Sequence, residues 1–67
     1  MLEKILQALR DEGYDANVIK GTIYVSVEEF DLYRIYHDET SIRVHSVDTG
    51  RDVMFTNYNE FLYFLES

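Results

Sequence analysis

Leu2, Ile5, Leu6 and Leu9 recur at the i, i+3, i+4, i+7 spacing that gathers four side chains onto one stripe of a helix, with Glu3, Lys4, Gln7 and Arg10 around the other side. The spacing predicts a helix over about residues 2–12, stopped by Gly13 in a left-handed conformation, with Tyr14 folding back on its last turn. From there the period changes to two. Lys20-Gly21 reads as a two-residue hairpin turn, and pairing Ile19 with Thr22 sets Val18 opposite Ile23, Ala16 opposite Val25 and Tyr14 opposite Val27, all on one face. The other face then carries Asp15, Asn17 and Ile19 against Thr22, Tyr24 and Ser26, as a half-solvated antiparallel pair should. Val18, Ile23 and Val25 are therefore expected beneath the helices, and Tyr24 is expected to point away from them.

Residues 30–36, Phe-Asp-Leu-Tyr-Arg-Ile-Tyr, are rich in aromatic and branched side chains, as are residues 41–47 beyond the polar tetrad His37-Asp38-Glu39-Thr40. A hairpin about that tetrad pairs Ile35 with Ile42, Tyr33 with Val44 and Leu32 with His45. A helix over residues 27–36 competes with it, because Ser26-Val27-Glu28-Glu29 matches a capping box. The strand is preferred, since Leu32, Tyr33, Ile35 and Tyr36 surround a helix without making a stripe. Asp48-Thr49-Gly50 reads as a type I turn closed by a glycine bulge, leading into a strand at 52–56 that presents either Met54 or Val53 and Phe55 inward. Asn57 caps a last helix with Glu60 at its third position, and Tyr58, Phe61, Leu62 and Leu65 repeat the helical stripe, leaving Tyr63 and Phe64 off it.

The order predicts an α+β domain spanning residues 1–67: an N-terminal helix, an antiparallel meander of four to five strands and a C-terminal helix, with a single layer of sheet packed against the helices. A chain of 67 residues has room for one core. With no cysteine, neither disulfides nor thiolate metal sites are available, which fits a cytoplasmic setting. No apolar run is long enough for a signal sequence or a membrane span.

Charge changes the picture more than composition does. Thirteen Asp and Glu against six Lys and Arg give a formal −7, which repels nucleic-acid backbones and anionic lipid, and the basic residues are scattered along the chain. The expected partner is a protein with a basic surface, with no direct nucleic acid and no membrane. The ordinary explanation of excess acid is solubility.

Catalytic chemistry has little to draw on. The serines lie in no nucleophile elbow, and three isolated glycines make no phosphate-cradling loop. His37, Asp38, Glu39 and His45 are competent metal ligands by type, yet the predicted hairpin sets His45 well up the strand from the turn holding His37. No catalytic residue, metal or other cofactor is expected. A functional acidic surface, by contrast, can be assembled from Glu28, Glu29, Asp31, Asp38 and Glu39, with Tyr24 and Tyr36 as anchors of large area and low side-chain entropy.

In size, charge and helix-hairpin-helix order the chain is similar to the small acidic inhibitors encoded by phages and mobile elements, including the nucleic-acid mimics among anti-CRISPR and anti-restriction proteins. That likeness carries over no residue. It implies a binding protein that occludes a basic surface of a larger enzyme acting on nucleic acid. The alternative is a structural or assembly module forming a homodimer through its aromatic surface.

Overall fold

A computed structural model describes residues 1–67. Helix α1 (Leu2–Asp11) is followed by strands β1 (Asp15–Ile19), β2 (Thr22–Val27), β3 (Phe30–His37), β4 (Ile42–Ser46) and β5 (Asp52–Phe55), and then by helix α2 (Tyr58–Glu66). The strands form one antiparallel sheet in the order β1-β2-β3-β4-β5, with both helices against one face. The α+β meander expected from the pattern is the observed architecture.

Local chemistry accounts for the element ends. At the C-terminus of α1 the Tyr14 amide donates to the Leu9 carbonyl and the Gly13 amide to Arg10, both at 3.0 Å, while Gly13 sits at φ +90°. These are the two bonds of a Schellman motif, whose left-handed residue glycine adopts without steric cost. The Asn57 side chain accepts from the Glu60 amide at 2.9 Å and so caps α2. The Tyr58 hydroxyl donates to the Lys4 carbonyl at 3.1 Å, tying the start of α2 to the start of α1.

The β1–β2 register is the predicted one, Ile19 with Thr22, Val18 with Ile23 and Ala16 with Val25. Tyr14 lies outside β1, held by its amide bond to α1. Val18 departs from expectation. It is on the inward face but 39% exposed, because β1 is an edge strand and α1 covers its Ala16 end. Tyr24 does point away from the helices.

Residues 30–37 are a strand, and the helix considered over 27–36 does not form. The β3–β4 hairpin is shifted by two residues from the predicted pairing. Ile35 faces Val44, Tyr33 faces Ser46 and His37 faces Ile42, so His37 belongs to the strand and the turn is Asp38–Ser41. His45 accordingly lies opposite Arg34 and not Leu32. Asp38 is the cause. Its Oδ1 accepts from the amides of Thr40 and Ser41, both at 2.8 Å, and from both hydroxyls. That oxygen builds the turn one residue later than composition indicates. A two-residue shift keeps every side chain on its face, so the inward set survives the error.

In β5 the inward pair is Val53 opposite Val44 and Phe55 opposite Ile42, with Met54 outward beside Arg43. Phe55 then contacts Phe61 and Phe64 at centroid distances of 6.2 and 5.3 Å, and Phe64 contacts Tyr33 at 5.9 Å. Phe64, expected off the stripe, is thus half-buried at the side of α2, where Tyr33 and Phe55 offer ring edges; Tyr63 stays 79% exposed. The fully buried core is Ile5, Leu9, Ile23, Val25, Ile35, Ile42, Val44 and Phe61.

Candidate functional site

The side of the sheet away from the helices is uncovered, and its strand registers align side chains into rows. One row crosses all five strands as Asn17, Tyr24, Arg34, His45 and Asp52; the next carries Tyr36, Arg43 and Met54. The Arg34 guanidinium lies over the Tyr24 ring at 5.7 Å and that of Arg43 over the Tyr36 ring at 4.5 Å. Asp52 accepts from or pairs with His45 Nδ1 at 2.7 Å and lies 3.9 Å from Arg43. Arg34 has no carboxylate partner.

Connectivity sorts the charges between the ends of the sheet. The end of α1, the start of β1, the β2–β3 turn, the β4–β5 turn and the end of α2 all fall at one end. That acidic edge holds Asp11, Glu12, Asp15, Glu28, Glu29, Asp31, Asp48 and Glu66 with Arg10 and Arg51, eight negative against two positive. The opposite end, with Glu3, Asp38, Glu39 and Glu60 against Lys4 and Lys20, carries −2. The two central rows of the open face, with Arg34 and Arg43 against Asp52, carry +1, which completes the net −7; Asp15 and Asp31, in the row with Ser26 where this face meets the acidic edge, are counted with that edge. Both helices end at the acidic edge, and their partial negative charges add to its potential. Burial, then Tyr14 and Asp48 nearby, raise the Tyr33 hydroxyl above its usual 10.0 at this same end.

The seven residues singled out from sequence therefore fall into three places. Glu28, Glu29 and Asp31 are exposed on the acidic edge. Asp38 and Glu39 are at the far end of β3, about 25 Å away at the usual strand rise. Asp38 is moreover committed to its turn, and the Thr40 and Ser41 amides hold its carboxyl below the usual 3.8. Tyr24 and Tyr36 are together on the open face, accompanied by guanidiniums; of the five predicted carboxylates only Asp31, paired with Ser26 in the adjacent row, faces the same way. His37 and His45 lie on opposite faces of the sheet, since His37 pairs with inward Ile42 and His45 with outward Arg34. The His37 Nε2 is buried without a hydrogen-bond partner.

One residue at the acidic edge escaped the sequence pattern. Val27 pairs with Phe30, so Glu28 and Glu29 form a two-residue turn, at φ +50° and +74°. Phe30 is left 71% exposed at the tip of that hairpin. A two-residue turn with both residues left-handed normally carries Asn-Gly or similar, and Glu-Glu gives no such signal. Beyond the tip Leu32 is an extra residue on β3, because Val25 pairs with Tyr33 and Ser26 with Asp31. This bulge bends the hairpin end of the strand.

No protein-family model matches the chain, and no curated protein or solved structure is significantly similar to it. No helix is long and apolar enough to cross a membrane.

Proposed function

We propose that this chain is a small acidic protein-binding module, an inhibitor that occludes a basic, nucleic-acid-binding surface of a larger enzyme, in the manner of phage and mobile-element proteins that imitate nucleic acid. The observation that carries this reading is the segregation of charge, with eight carboxylates and both helix C-termini at one end of the sheet. Five strands at about 4.8 Å spacing make that edge roughly 20 Å wide, and its sheet layer holds Asp15, Glu28, Glu29, Asp31 and Asp48, or one carboxylate for each ~4 Å. The linear density is comparable to that of one nucleic-acid strand, about 3.4 Å per phosphate. Such an edge draws a basic groove by long-range attraction, which acts mainly on the association rate. Phe30, exposed between Glu29 and Asp31, supplies an apolar anchor where charge alone would give fast but weak association. The reading places the protein in the cytoplasm and assigns it neither a catalytic step nor direct contact with nucleic acid.

The test compares wild type with the triple variant Glu28→Lys, Glu29→Lys, Asp31→Lys as immobilised bait in extract of the source cell. Wild type should retain a nucleic-acid-acting protein that added duplex DNA or structured RNA displaces, and the triple variant, equally folded by circular dichroism, should not. Retention unaffected by both the reversal and the competitor would refute the reading.

A further inference from the structure

We propose that the open face of the sheet is a docking surface for the β2–β3 hairpin tip of a second copy of this chain, in a head-to-tail contact. The two surfaces are chemically complementary. The tip presents one exposed ring, Phe30, among the carboxylates of Glu28, Glu29 and Asp31. The centre of the face presents the rings of Tyr24 and Tyr36 with the guanidiniums of Arg34 and Arg43, which against Asp52 leave a local formal charge of +1. Ile19 and Met54, 55% and 60% exposed, extend its apolar area. Tyr, Arg and Met are the residue types enriched at interface centres, and of the depleted charged types the two central rows contain no Lys or Glu and a single Asp, Asp52 at the β5 edge.

Geometry selects a head-to-tail arrangement. A two-fold contact of face on face brings Arg34 and Arg43 toward the same residues of the partner copy, whereas the acidic tip meets them with opposite charge. The tip projects from the end of the sheet and the face lies on its broad side, so both surfaces of one molecule can be engaged at once. A two-residue hairpin tip covers less than the roughly 800 Å² per partner of a standard interface, so the contact is weak and concentration-dependent. Because it uses the same hairpin as the acidic edge, self-association competes with binding to a basic partner. The contact itself does not depend on such a partner existing.

The experiment measures mass by sedimentation velocity and light scattering from about 10 µM to about 1 mM, the range that fits a weak interface. Wild type should rise above its monomer mass of 8.0 kDa with concentration. The tip variant Phe30→Ala, which keeps every charge, and the face variant Arg34→Gln/Arg43→Gln should each associate at least about tenfold more weakly, with unchanged circular dichroism. Mixed in equal amounts, each variant retains the surface the other lacks, so a pair of twice the monomer mass should reappear and grow no further. Wild type that stays monomeric throughout overturns the proposal. So does association that mixing fails to restore, which would mean a two-fold contact. Binding of a labelled single-stranded oligonucleotide by wild type, lost in Arg34→Gln/Arg43→Gln, would give the face a different occupant and overturn it as well.

Discussion

On the helix side of the sheet the row Val18, Ile23, Ile35, Val44 and Val53 is aliphatic from edge to edge; on the other side its neighbour reads Asn17, Tyr24, Arg34, His45 and Asp52. The same five strands make both rows, one residue apart. The inner row is sealed by α1 and α2 and its central members are fully buried. The outer side has no covering element, and the rings of Tyr24 and, in the next row, Tyr36 are shielded only by guanidiniums at 5.7 and 4.5 Å. A cation over an exposed ring contributes about 0.5–1 kcal/mol, against about 1.5–3 kcal/mol for fully burying one large aliphatic or aromatic side chain. Stability therefore resides on one face, and the other is free to serve recognition.

The strongest way to break this contrast is to truncate one aromatic on each side. Phe61→Ala removes a fully buried ring beneath the sheet and should cost about 3–5 kcal/mol, much of the roughly 3–10 kcal/mol available to a chain of this size. Tyr24→Ala should cost less than about 1 kcal/mol. Urea unfolding of both variants decides the matter, and comparable losses would mean that the outer face is covered in solution.

Next in size is a contrast between two turns. Lys20-Gly21 and Glu28-Glu29 are both two-residue turns with positive φ throughout, but only the first has glycine in its second position. Replacing Glu28-Glu29 by Asn-Gly should stabilise the fold by about 1–2 kcal/mol, while Lys20→Asn should gain only a few tenths. Thermal midpoints measured side by side test this. If Asn-Gly also weakens partner binding, the two glutamates are retained for recognition at the expense of stability.

The smallest effect is pH-dependent and belongs to the far end of β3. Asp38 is held below its usual 3.8 by the amides it accepts from, so its contribution is complete above that value and is lost as pH falls through the lower folded value. The midpoint difference between wild type and Asp38→Ala should be constant from about pH 5 to 8 and close as pH falls below about 4. A difference that persists in strong acid would mean that the turn is held by something other than this carboxylate.

Much of this architecture was legible because short-range chemistry dictates it. The helical stripes, Gly13, the Asn57 cap and the Lys20-Gly21 register all depend on residues within a few positions of one another. The β3–β4 pairing lies two residues from the one alternation suggests because the decisive group, Asp38 Oδ1, binds Thr40 and Ser41 in a way that composition does not rank. The site was less legible than the fold. Tyr24 and Tyr36 were correctly placed beside Arg34 and Arg43 on one face, since alternation alone puts them there. That Glu28, Glu29, Asp38 and Glu39 stand in turns at the two ends of that face, with only Asp31 on it, was not readable, because it depends on which turns fall at the same end of a five-stranded sheet. Phe30 went unnoticed because the Glu28-Glu29 turn that exposes it lacks turn-forming residues.

By itself, then, the amino-acid sequence determined the elements, the inward faces of β1 to β4 and the net charge, all properties of local spacing or simple counting. Tertiary structure alone decided where that charge stands. Each strand reversal sends the chain back across the sheet, so carboxylates as distant in sequence as Asp11, Glu29, Asp48 and Glu66 gather at one end while Arg34 and Arg43 are left together on the open face. Polarity of this kind is a property of topology, and no window along the chain contains it.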